Sequence, residues 1–147
     1  MLEEADARLQ SWTFWDLAHF FDWRNPHPAP GCNGDPECRN LKFMARPYAQ
    51  AVAGTPLNMR FDMASGVFTL NMTPDPAIHA PTEIFLPPHR YAAGYSVTIA
   101  PAGTPLKWTP CGAQQPNTIC VSSSSSVGVM VGDALPPLVT VIVAPKV

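Results

Sequence analysis

The residues that could do chemistry are four cysteines, a Trp-Asp pair, acidic residues at the start, and a few histidines. The cysteines stand at 32, 38, 111 and 120. An even count with short local spacing predicts two disulfides, Cys32–Cys38 and Cys111–Cys120, and hence an oxidising compartment. Four free thiols are the alternative. Zinc held by His27, Cys32 and Cys38 is a weak match, because the spacing is not C-x₂-C and no fourth ligand is evident. No metal and no cofactor are therefore expected. Trp15 and Asp16 close an aromatic-rich run. An aromatic face can stack on the C–H face of a pyranose, so Trp15 is either a sugar platform or a core residue, and the residues alone favour the core. Trp12 sits deeper in the run. Glu3, Glu4 and Asp6 read as a solvated helix face, since a general acid needs a pocket that shifts its pKa. Asn71-Met72-Thr73 is a glycosylation triplet on the outward face of a strand, with Pro74 after it disfavouring its use. His79, His89 and Arg90 lie in Pro-rich loops with no cysteine or carboxylate at ligand spacing, and read as surface residues.

The elements that must position these residues follow from composition and periodicity. The chain has 147 residues, 46% hydrophobic and 14% charged, with a net charge of −2. That is enough for one domain with a core. The absence of a basic patch argues against a nucleic-acid partner. The 18 prolines argue against an all-helical fold. The acidic start is not a signal peptide, and no run approaches the roughly 20 apolar residues of a membrane span.

Leu2, Ala5 and Leu9 recur at helical spacing over residues 1–10. Residues 11–17 read as a short buried strand, and 18–40 as a loop dense in turn residues and aromatics. A short helix, a proline break and a linker lead to Gly54. After Pro56 the period becomes two. Leu57, Met59 and Phe61 alternate with polar residues, a turn spans 62–66, and Phe68, Leu70 and Met72 follow, giving a hairpin with one buried face. Further strands are expected at 82–86 and at Tyr95, Val97 and Ile99. Residues 105–109 and 119–122 should form a hairpin around the second cysteine pair. Strands at 127–131 and 138–143 complete about eight, which suggests an antiparallel, Ig-like β-sandwich. Residues 122–126, all serine, read as an exposed loop or edge.

Three stretches carry a resemblance. "SWTFWDL" at 11–17 resembles the eighth strand of the (β/α)₈ barrel in family 5 glycoside hydrolases. "ARPYAQAVAGTPLNMRFDMASGVFTL" at 45–70 is similar to the junction of barrel and C-terminal sandwich in endoglycoceramidases. "PTEIFLPPHRYAAGYSVTIA" at 81–100 resembles the matching part of that sandwich. The resemblance implies a barrel remnant over 1–45, a linker over 46–54 and a sandwich over 55–147. A whole barrel needs about 250 residues. The chain is thus expected to be the C-terminal fragment of a retaining hydrolase of glycosylceramides or steryl glucosides. Such enzymes use two glutamates about 5 Å apart. In the family these end strands four and seven, so both should precede this chain, and the chain alone should be inactive. Trp15 is carried over as a substrate-binding residue, with Asp16 the weaker candidate because the position varies. The implied partners are the glycolipid substrate, the missing barrel portion and a membrane surface. The implied location is extracellular or a lysosome-like lumen. A standalone module binding carbohydrate or a lipid interface, or a purely structural domain, is the alternative.

Overall fold

The computed structural model describes residues 2–11, 45–123 and 137–146. One helix, α1 (Leu2–Ala7), precedes eight strands: β1 (Tyr48–Ala51), β2 (Gly54–Phe61), β3 (Phe68–Pro74), β4 (Thr82–Phe85), β5 (Tyr95–Ala100), β6 (Leu106–Pro110), β7 (Thr118–Ser123) and β8 (Val139–Pro145). They form two four-stranded sheets, ordered β1-β4-β7-β6 and β2-β3-β8-β5, with every pairing antiparallel. The expected strands at 11–17 and 127–131, the loop over 18–40 and the Cys32–Cys38 pair lie outside the described residues.

Alternation builds the core. In β3, Phe68, Leu70 and Met72 are buried while Thr69, Asn71 and Thr73 are not. In β8, Val139, Val141 and Val143 do the same opposite them. Ile84, Ile119 and Val121 of the first sheet join these residues and Phe61 in one cluster. A pleated strand turns alternate side chains to one face, so two such faces can enclose a single apolar layer. At the side away from β1 and β2, Tyr95 of β5 meets Trp108 of β6 with ring centroids 5.9 Å apart. These rings bridge the sheets where no strand does.

Two expectations change. Residues 46–54, read as a linker, contain β1, whose register runs Tyr48↔Phe85 and Ala49↔Ile84. Its four residues carry no alternation that would mark them as a strand. Leu57, expected in the core, is 47% exposed. The β2–β3 register slips between Pro56 and Asn58, and this bulge takes Leu57 out of the alternation.

The β2–β3 turn is set by Asp62. Its carboxylate accepts from the backbone N–H groups of Ala64 and Ser65 at 2.9 and 2.8 Å. The Ser65 backbone bond, helped by the Ser65 side chain, holds the Asp62 carboxyl below the ordinary carboxylate range. Gly66, at φ 70°, closes the turn by donating to Asp62 O at 2.8 Å. Tyr91 ties this turn to the β4–β5 connection by donating its phenol to Gly66 O at 3.1 Å. Burial pushes the Tyr91 phenol up from 10.0 to about 12. The folded protein therefore holds this proton more tightly than the unfolded chain does. The associated stability is complete below the ordinary phenol value and is lost as pH rises through about 12. An ultraviolet phenolate titration should show one of the three tyrosines ionising late. Tyr91→Phe should remove that late step. Three phenols ionising together in the folded protein would contradict this assignment.

Candidate functional site

The helix meets the sandwich at a buried ion pair. Arg46 donates to Asp6 Oδ2 through Nε at 3.1 Å and through a terminal guanidinium nitrogen at 2.6 Å. That terminal nitrogen also donates to Phe61 O at 3.2 Å. Arg46 and Asp6 are 6% and 7% exposed. The Arg46 guanidinium carbon lies 5.1 Å from the Phe61 ring centroid and that of Arg90 lies 5.5 Å from it. One ring is thus shared by two cations. Arg90 also approaches Ala45 O at 3.5 Å and the Met63 sulfur at 3.6 Å. Asp6 is therefore no part of a solvated helix face, and Arg90 is no bare surface residue. Both were misread because their partners are 40 and 45 residues away. Glu4 does behave as expected, pairing in the open with Arg8 at 2.6 Å.

The helix stops where the junction needs it to. Gln10 N donates to Ala5 O and Leu9 N to Asp6 O, with Leu9 in the left-handed region at φ 55°. This is a Schellman ending with leucine at the position that usually takes glycine. It satisfies the last carbonyls of a helix only six residues long.

A second cluster lies on the outer face of the first sheet. Tyr48 and Phe85 are directly opposed across β1 and β4, with ring centroids 5.6 Å apart and planes at 43°. Glu83, next outward on β4, accepts on Oε2 from Gln50 at 2.9 Å and from Gln115 at 3.1 Å. Gln115 belongs to the β6–β7 loop, which Cys111–Cys120 closes with a Cα–Cα distance of 5.0 Å. The expected second disulfide is thus present. It closes a loop with a sequence separation of 9, so its loss should cost about 3 kcal/mol or less. Chemical denaturation of the Cys111→Ser/Cys120→Ser double variant measures this. A loss well above that figure would mean the bond holds more than its own loop. The sequence offered no sign of the Tyr48–Phe85–Glu83 cluster while β1 was read as linker.

The other expected site residues are distributed as follows. Trp15 and Asp16, and with them Trp12 and His27, lie outside the described residues. Asn71 lies on the outer face of the second sheet and is fully engaged. Its Nδ2 donates to Asn58 Oδ1 at 2.8 Å and its Oδ1 accepts from Thr140 at 2.7 Å. Thr73, the third residue of the triplet, donates to Pro137 O at 3.0 Å. Among the described residues, no group of three or more His, Cys, Asp or Glu could hold a metal ion. Four of the described acids are bound to tasks of structure: Asp6 to Arg46, Asp62 and Asp75 to the backbone of their own turns, and Glu83 to two amides. The arrangement can hold a helix and offer hydroxyl-binding groups.

Residues 46–131 match the model of the glycoside hydrolase family 5 C-terminal domain. The chain is 36% identical over 98 residues to endoglycoceramidase I of Rhodococcus hoagii (strain 103S), covering 67% of this chain and 18% of that protein. Sterylglucosidase 1 of Cryptococcus neoformans is similar in structure, with a TM-score of 0.55 at 20% identity over 74% of this chain and 14% of that one. Endoglycoceramidase II from Rhodococcus sp. aligns at a TM-score of 0.48 with 29% identity, over 69% of this chain and 19% of that one. The chain spans less than a fifth of the length of these relatives.

Proposed function

Since the chain belongs to the family of glycoside hydrolase family 5 C-terminal domains, we propose that it is the C-terminal part of a retaining hydrolase that cleaves the glycosidic bond of a glycolipid. The observation that carries this reading is the family match over 46–131 in a chain spanning 18% of an endoglycoceramidase. The substrate is a glycosylceramide or a steryl glucoside, as the names of the relatives suggest. The parent works outside the cell or in a lysosome-like lumen, at a membrane surface where its substrate resides. Residues 1–45 belong to the barrel and the sandwich serves as its accessory domain. The buried Asp6–Arg46 pair supports this division, because it fastens a helix from before the sandwich to the sandwich itself.

In this reading the two catalytic carboxylates come from the rest of the parent. A retaining enzyme needs them about 5 Å apart in one cleft, and the acids described above are committed elsewhere. Trp15 contributes the stacking platform for the sugar, with Asp16 beside it at the barrel rim. The isolated chain should therefore show no turnover of fluorescent glucosylceramide, lactosylceramide or steryl glucoside, while the full-length parent hydrolyses at least one of them. In the parent, Trp15→Ala should lower kcat/KM by about tenfold or more, since sugar positioning would be lost in the transition state. Turnover by the isolated chain would defeat the fragment reading. An unimpaired Trp15→Ala parent would defeat only the role of Trp15.

A further inference from the structure

We propose that the outer face of the first sheet, at Tyr48, Gln50, Glu83, Phe85 and Gln115, binds the pyranose rings of a neutral glycan. An exposed aromatic residue by itself signals nothing, because single apolar side chains are common on protein surfaces. Here Tyr48, 44% exposed, is paired with Phe85 on the same face, and a preset polar row lies beside the pair. Glu83 and Phe85 are alternate residues of β4, so their side chains leave the same face about 7 Å apart along the strand. That spacing suits a hexose ring lying on the aromatics with its hydroxyl edge toward Glu83.

The polar row is held ready before any ligand arrives. Both glutamine amides donate to one oxygen of Glu83, Oε2. Among the described residues, Glu83 Oε1 and the Oε1 atoms of Gln50 and Gln115 accept no hydrogen bond. Each glutamine also keeps a second amide N–H. The row therefore offers three acceptors and two donors. Adjacent sugar hydroxyls, each able to donate and accept, match that set. Mutual bonding of the three side chains reduces the ordering entropy lost on binding. Glu83 is held in β4 between β1 and β7, Gln50 stands at the register slip of β1 between the paired residues Ala49 and Ala51, and the Cys111–Cys120 bond restrains the loop that carries Gln115. The single carboxylate disfavours acidic sugars and phosphates by like-charge repulsion. The ligand is accordingly an uncharged hexose unit. A soluble oligosaccharide and the headgroup of a neutral glycolipid share that chemistry.

The test is a nuclear magnetic resonance titration of the 147-residue chain with lactose. The expected result is millimolar binding that shifts the side-chain amide signals of Gln50 and Gln115 and the ring signals of Tyr48 and Phe85. Tyr48→Ala should weaken binding about two- to tenfold, the range of a lost aromatic contact. Glu83→Ala should abolish the response of both glutamine amides to sugar. Unchanged core signals in each variant would show that the sandwich is intact. If Glu83→Ala disturbs the core, Tyr48→Ala alone decides. Co-sedimentation with phosphatidylcholine vesicles, with and without lactosylceramide, separates the sources. Capture dependent on lactosylceramide indicates the headgroup, and lactose binding without capture indicates soluble sugar. No lactose response at these residues, or an unchanged affinity in Tyr48→Ala, would overturn the proposal. Every readout is binding, so the result is independent of whether the parent hydrolyses a glycolipid.

Discussion

Gly54→Ala should prevent the native sandwich from forming at ordinary temperatures. Gly54 lies where the chain leaves β1 in one sheet and enters β2 in the other. Its φ is 146°, a region that side chains with a Cβ rarely adopt. A Cβ there would stand 2.1 Å from Thr73 O and 2.8 Å from Pro74 Cα. Both are backbone atoms of β3, so no rotamer change relieves the clash. The neighbours cannot shift easily either. Ala53 N donates to Thr82 Oγ1 at 2.9 Å, and Asp75 N donates to Ala53 O at 3.1 Å. The crossover is thus pinned to β4 on one side and to the end of β3 on the other. A loss above about 4 kcal/mol is expected, which belongs to the exceptional class of single substitutions. Gly103→Ala is the control, because Gly103 also has a positive φ, 82°, but nothing within 4 Å of its Cβ position. It should cost about 1–2 kcal/mol. Urea unfolding followed by circular dichroism compares the two, and similar losses would refute the argument from contact.

Arg46→Ala should destabilise the chain by about 3–5 kcal/mol, the usual result of leaving one member of a buried pair uncompensated. The substitution strands the Asp6 carboxylate, removes the donor to Phe61 O and takes one cation from the Phe61 ring. Asp6→Ala should cost a similar amount for the opposite reason, since a buried guanidinium is left without its anion. Replacing both residues by apolar side chains of similar volume should recover most of the loss, because the pair itself is worth little against its desolvation. The two alanine variants and the Asp6→Ala/Arg46→Ala double variant form a cycle that isolates the coupling. Hydrogen exchange adds a local readout: α1 amides should lose protection in either single variant more than β3 amides do. Additive single effects, with no coupling, would mean that Asp6 and Arg46 do not meet in solution.

Much of the sandwich was legible in the sequence. Phe68-Leu70-Met72 alternates with polar residues and burial follows that pattern, whereas Val139–Pro145 reads as a strand from its apolar run, and the alternation of its burial is set by the sheet. What was not legible depended on contacts distant in sequence. Tyr48–Ala51 has no alternation of its own and becomes a strand only by pairing with Thr82–Phe85. Leu57 obeys the pattern in sequence and escapes it through a bulge, whose position is set by the partner strand. Asp6 is charged on a helix with other charges, and nothing local distinguishes it from Glu3 or Glu4. The polar row at Glu83 likewise assembles from a strand edge, a neighbouring strand and a disulfide-closed loop. The Cys111–Cys120 pairing was readable because its two members are close in sequence. Trp15 rests on motif resemblance alone.

The strand order has a consequence for how the chain is made. In the second sheet β8 lies between β3 and β5, although it is synthesised after both. Until it arrives, β3 and β5 have no bridge to one another, and Leu70 and Val97 face a gap that only Val141 and Val143 fill. The first sheet suffers no such delay, because β7, which joins β4 to β6, directly follows β6 in the chain. On the ribosome, one half of the domain can therefore assemble early while the other waits with open strand edges. Such edges pair readily with foreign strands. The nascent chain is most at risk of misassembly in the interval before residues 139–145 emerge, which makes that interval the point where a chaperone would matter most.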